Sequence, residues 1–136
     1  KVYVFVSTDE DVILYKEKYT GINIIKAPKG VAKVDNFITD YFKEKQKIIY
    51  MNDDVSEIQE LFEGKLQKIG KNKLHQIIKV MFSKMIKNRI TYGGFYPVAN
   101  NMFMSRKKVN YNLCLIMDPF SLVINNKKEK VWHINH

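Results

Sequence analysis

Lys47-Ile48-Ile49-Tyr50-Met51-Asn52-Asp53-Asp54-Val55 is an apolar stretch that runs straight into two adjacent carboxylates. A short unbroken run of β-branched and aromatic residues reads as a buried strand. Acids at the carboxyl end of such a strand stand where open α/β sheets hold their ligands. Two anions side by side repel one another, and a cation relieves that repulsion. Carboxylate oxygens suit Mg²⁺ or Mn²⁺, which in turn hold the phosphates of a nucleotide. The competing role for Asp53 and Asp54 is to cap a helix starting near Val55, because Asp favours helix N-termini.

Working outward, Lys1-Val2-Tyr3-Val4-Phe5-Val6 reads as a first strand, and Asp9-Glu10-Asp11-Val12 opens a helix with Thr8 as its N-cap. Gly21 breaks that helix, Ile22-Asn23-Ile24-Ile25 reads as a second strand, and Ala27-Pro28-Lys29-Gly30 is a turn by composition. Val34, Phe37, Ile38, Tyr41 and Phe42 recur at helical spacing before the strand into Asp53-Asp54. Strand, helix, strand, helix, strand predicts a right-handed parallel βαβ arrangement. Val55, Ile58, Leu61, Phe62, Leu66 and Ile69 then predict a long helical face closed by Gly70, and Leu74, Ile77, Ile78, Met81, Met85 and Ile86 a third helix. A turn is expected at Gly93-Gly94, followed by short strands at 95–98, 101–104, 113–117 and 120–124. The expected fold is therefore α/β: one Rossmann-like domain spanning residues 1–136, with a mostly parallel central sheet flanked by helices.

The composition suits one globular domain: 136 residues, 46% hydrophobic and 27% charged, argue against disorder. No apolar run approaches the ~20 residues of a membrane span, and no signal peptide opens the chain. The first residue is Lys1 rather than Met, as expected of an excised or processed piece. The one cysteine, Cys114, excludes an internal disulfide framework and fits a reducing compartment. Charge is split along the chain. Residues 1–64 hold nine Lys and twelve acids, a balance of −3, whereas residues 65–136 hold fourteen Lys or Arg and two acids, a balance of +12. A one-sided field of this kind suits a polyanion such as nucleic acid or a membrane surface. Lysine, asparagine and isoleucine are also favoured by AT-rich coding sequence, which inflates the total more readily than the split.

Three blocks carry a family resemblance. They are Lys29-Gly30-Val31-Ala32-Lys33-Val34-Asp35-Asn36-Phe37-Ile38, Ile48-Ile49-Tyr50-Met51-Asn52-Asp53-Asp54-Val55, and Gly93-Gly94-Phe95-Tyr96-Pro97-Val98-Ala99-Asn100-Asn101-Met102-Phe103-Met104. Their order resembles the GT-A-fold glycosyltransferase-like domains of DNA viruses, phages and base-modification systems, the TET-associated group. The resemblance implies a GT-A domain, with residues 1–64 as the donor and metal half and 65–136 as the basic acceptor half. It implies a nucleotide-sugar donor, UDP-linked first of all, and Mn²⁺ or Mg²⁺ at Asp53 and Asp54, with His136 or His133 as a late ligand. Thr8, Lys29, Gly30, Asn36, Asn52, Tyr96 and Asn100 would contact the donor, and Asp118 would serve as catalytic base. Two positions depart from the family: Asn52 replaces the first acid of an Asp-x-Asp motif, and Asp35 replaces an arginine. The family's domain usually runs on past the point where this chain ends, which implies truncation at the C-terminus.

Each of these residues has a plainer role open to it. Thr8 is a good helix starter, Lys29-Gly30 a plain turn, Tyr96 a core aromatic, Asp118 before Pro119 a turn residue, and His75 a surface histidine. The expected function is metal-dependent transfer of a sugar from a nucleotide, with modified DNA as acceptor and a cytoplasmic or host-cytoplasmic viral setting. The alternatives are transfer to protein or glycan, a degenerate sugar-nucleotide-binding module, and a non-catalytic nucleic-acid-binding domain. A nucleotidyltransferase would require a further carboxylate. No helix-turn-helix, zinc-finger or aromatic RNA-binding signature is present.

Overall fold

The structure, a computed structural model, describes residues 1–95, 102, 111 and 119–128. The chain divides into two compact units, Lys1–Glu44 with Asn126–His136, and Lys45–Asn125.

The first unit contains β1 (Tyr3–Val6), α1 (Asp9–Lys18), β2 (Asn23–Lys26) and α2 (Val31–Tyr41). β1 and β2 are parallel, in register from Tyr3↔Asn23 to Val6↔Lys26, with α1 as the crossover. Thr8 caps α1 as the sequence predicts: its Oγ1 accepts the Asp11 N–H at 3.1 Å and donates to Asp11 Oδ2 at 2.7 Å. Acids fill the first turn of α1 and Lys16 and Lys18 its last, the arrangement that complements the helix dipole. Packing here is mostly aromatic. Tyr3 meets Phe42 edge-on at 5.0 Å between ring centroids, and Phe5 meets Tyr41 at 5.7 Å. Buried Ile24, Ala27, Ile38 and Phe42 complete the apolar centre. Lys127 ties the returning chain to the end of α2, its N–H donating to Glu44 and its Nζ to the Asp40 carbonyl.

The second unit holds β3 (Lys47–Met51), β4 (Gln59–Phe62), β5 (Lys65–Lys68), α3 (Lys71–Lys87), β6 (Tyr92–Gly94) and β7 (Phe120–Ile124). β7 lies between β3 and β6 and is antiparallel to both; β4 and β5 form a separate hairpin. α3 lays Phe82 and Met85 onto Phe120 and Leu122, and Leu122 is completely buried. Gly93 permits this approach, since a Cβ there would stand 3.2 Å from Met85 Sδ.

The expected mostly parallel, Rossmann-like GT-A sheet is not what forms. Three small sheets replace it, and among the described strands only β1 and β2 run parallel. β3, expected as a central parallel strand, is an edge of an antiparallel three-stranded sheet. A short apolar run does not reveal the direction of its partner. Exposure along β3 does: it alternates from Lys47 to Met51, as on a half-covered antiparallel strand, while Phe120, Ser121 and Leu122 of β7 are all buried.

The helix expected over residues 55–69 is also absent, and β4 and β5 occupy its place. Glu63 and Gly64 both hold positive φ, 49° and 75°, which is the type I′ turn that joins two-residue hairpins. Gly93 and Gly94, expected as a turn, are the second and third residues of β6. The predicted strand at 120–124 and the third helix are present as β7 and α3. The predicted strands at 95–98, 101–104 and 113–117 fall almost wholly outside the described residues.

Candidate functional site

Two places bear on function, one in each unit. In the first unit, a cleft of about 460 Å³ opens at the carboxyl end of β1, lined by Phe5, Val6, Ser7, Asp11, Tyr15, Gly30, Val31, Val34 and Asp35. Its position follows from the parallel pair: α1 leaves the end of β1 and α2 follows β2, so both helices start on the same side. The volume falls within the range of small-molecule sites. The walls differ in character. Phe5, Val31 and Val34 are apolar, Asp11 and Asp35 are acceptors, and among the described residues no lysine or arginine lines the cleft.

The two helix starts at this end are not equivalent. Thr8 and the acids of its first turn satisfy α1 internally. α2 begins at Gly30 with no side-chain cap and no acid in its first turn. Gly30 holds φ 107°, a backbone conformation that L residues rarely adopt. Among the described residues no side-chain cap serves the first N–H groups of α2, and the exposed side chains of Lys29 and Lys33 flank this helix start in sequence.

In the second unit, Asn52, Asp53 and Asp54 form an exposed turn directly after β3. The Asn52 N–H donates to the Pro119 carbonyl at 3.0 Å, fixing the start of the turn to the end of the β3–β7 ladder. Because no helix follows, the acids have no helix start to cap. Neither carboxylate makes an ion pair among the described residues. Nor do three His, Cys, Asp or Glu side chains gather into a metal cluster among those residues. Two carboxylates and an amide oxygen do not enclose a cation. They do fit an ion of the Mg²⁺ type, which keeps several waters and takes further oxygens from a bound phosphate.

Of the donor-binding residues the sequence suggests, Gly30 lines the cleft, Thr8 is the cap of α1, and Lys29 is exposed in the preceding loop. Asn36 lies on α2, its Oδ1 buried and without a hydrogen-bond partner among the described residues. Asn52 belongs to the acidic turn of the second unit. Tyr96, Asn100, Asp118, His133 and His136 lie outside the described residues. Sequence reasoning passed over Asp11 and Tyr15 as ligand-facing. Their four-residue spacing on α1 was the available signal, hidden by the more obvious role of Asp11 in the first turn. Searches of family models, curated proteins and solved structures return no match to this chain.

Proposed function

We propose that the chain is a metal-dependent glycosyltransferase that takes its sugar from a nucleotide, with modified DNA as acceptor. The observation that carries the proposal is the ligand-sized cleft at the carboxyl end of the only parallel pair among the described strands. Its chemistry suits the nucleoside end of a donor. Asp11 and Asp35 accept hydrogen bonds from ribose hydroxyls or base N–H groups, as an acidic residue does in dinucleotide sites. Tyr15 and Phe5 offer apolar surface to a base. An anionic group is better placed toward the open start of α2, where Lys29 and Lys33 add positive charge.

Asp53 and Asp54 are the residues that would hold the divalent ion, with Asn52 contributing a neutral oxygen. Such an ion, when bound, would supply neutralisation of phosphate charge. Support comes from site chemistry and from the three blocks resembling base-modification glycosyltransferases, not from a larger parallel sheet, since β1 and β2 are the only parallel pair among the described strands. The basic balance of residues 65–136 suits a nucleic-acid acceptor.

The test is a thermal-shift panel of UDP-, GDP-, ADP- and CMP-sugars with and without Mn²⁺, followed by a transfer assay. One Mn²⁺-dependent stabilising donor is expected, and its labelled sugar should appear on hydroxymethylated duplex DNA. If no nucleotide sugar shifts the melting curve in either condition, the proposal fails. Transfer to a glycan or protein in preference to DNA would keep the enzyme and discard the acceptor.

A further inference from the structure

We propose that the outward face of α3 is a docking surface for the phosphate backbone of duplex nucleic acid, used without reading base sequence. Over its seventeen residues α3 carries Lys71, Lys73, Lys79, Lys84 and Lys87 and no acid, and Arg89 follows its end. Of these cations only Lys73 has an acidic partner among the described residues, Glu60. Lys79, Lys84 and Lys87 are exposed. At 100° per residue they fall within about 140° of arc, opposite the Phe82 and Met85 face that meets the core, and span about 12 Å of axis.

Helix stability does not account for this pattern. Lys84 and Lys87 complement the negative end of the dipole, but Lys71 sits at the positive end, where a cation is unfavourable. Within the same chain, α1 places three acids in its first turn and lysines in its last. A uniform excess of lysine codons would have marked both helices alike.

The chemistry of the face selects among polyanions. Between the lysines lie Gln76, Val80 and Ser83, with no aromatic residue on which an unpaired base could stack. The buried side of α3 is committed to the core, and Val80 and Ile86, its two exposed large apolar residues, give too little surface to enter a bilayer. Evenly repeated phosphates on a stiff duplex match a rigid row of cations. The proposal rests on the proposed function only for the acceptor's identity.

Its test is the binding of the full 136-residue chain to a random-sequence duplex across a salt titration, with neither donor nor metal present. The variants are Lys79→Gln/Lys84→Gln/Lys87→Gln and a charge-matched control, Lys16→Gln/Lys18→Gln/Lys65→Gln, both checked by circular dichroism and melting. Each phosphate contact contributes about −0.9 to the log–log salt slope. The α3 variant should therefore flatten the slope by about 2 to 3, and the control should leave it nearly unchanged. Equal effects from the two variants would overturn the proposal, as would tighter binding to single strands or binding only to phosphatidylserine vesicles. A failed donor panel with this salt dependence intact would remove the glycosyltransferase and leave the docking face standing.

Discussion

Gly64→Ala distinguishes a hairpin from a helix over residues 59–68 by the sign of its effect. In a helix interior, alanine is favoured over glycine by about 1 kcal/mol. In the hairpin, Gly64 holds φ 75°, and an L side chain in that region costs about 1–2 kcal/mol. A Cβ at Gly64 would meet nothing within 4 Å, so neither clash nor new packing alters the backbone cost. The loss spreads beyond the tip: the Ile69 N–H donates to the Ile58 carbonyl at the base of the hairpin, and Ile58 packs on the α3–β7 core. The expected result is a loss of about 1 kcal/mol, or about 3–5 °C in Tm for a chain of this size. Urea unfolding followed by circular dichroism reads it as a lower midpoint at constant slope. Glu63, at φ 49°, supplies the companion variant, because Asn-Gly is the preferred type I′ pair. Glu63→Asn should raise stability by a few tenths of a kcal/mol. A stabilised Gly64→Ala together with a destabilised Glu63→Asn would refute the hairpin.

Ser121→Ala should stabilise by about 1 kcal/mol, since the serine hydroxyl is buried in β7 without a hydrogen-bond partner among the described residues. A lower urea midpoint for that variant would reveal a hydrogen bond that the hydroxyl makes in solution. Thr8→Ala should cost about 1 kcal/mol by removing the α1 cap, and equal melting temperatures for mutant and wild type would deny the cap any weight. Asp54→Ala should abolish Mn²⁺-dependent stabilisation by a nucleotide sugar while leaving the far-ultraviolet spectrum unchanged. A retained Mn²⁺ response would place the cation on other residues.

Local structure was legible where a residue type has one good use. Thr8 ahead of Asp9-Glu10-Asp11 specifies a helix start, and the apolar spacing of Leu74, Ile78 and Met81 through Met85 specifies α3. Pairing direction was not legible. Ile48-Ile49-Tyr50 fits a parallel or an antiparallel neighbour equally, and its neighbour β7 lies about seventy residues further on. The failure over 55–69 has a different cause. Ile58, Leu61 and Leu66 satisfy a helical spacing, but the positive φ at Glu63-Gly64 turns the chain back before a helical face can build. Gly64, inside that apolar spacing, is the residue that marks the turn.

The candidate sites were legible in part for the same reason. The acidic turn announces itself, because two adjacent aspartates after an apolar run have few uses, and the hairpin that replaces the expected helix removes the capping role. The cleft required the fold. Ser7, Asp11, Tyr15, Gly30 and Asp35 are spread over 29 residues and come together only because β1 and β2 run parallel, bringing the starts of α1 and α2 to one end. That single parallel pair supplies what a larger sheet would have supplied at this position. One helix start is already satisfied by Thr8 and Asp11, the other is open at Gly30, and an apolar floor lies between them. The asymmetry gives a ligand a direction: hydroxyl and N–H donors toward the carboxylates, and negative charge toward α2.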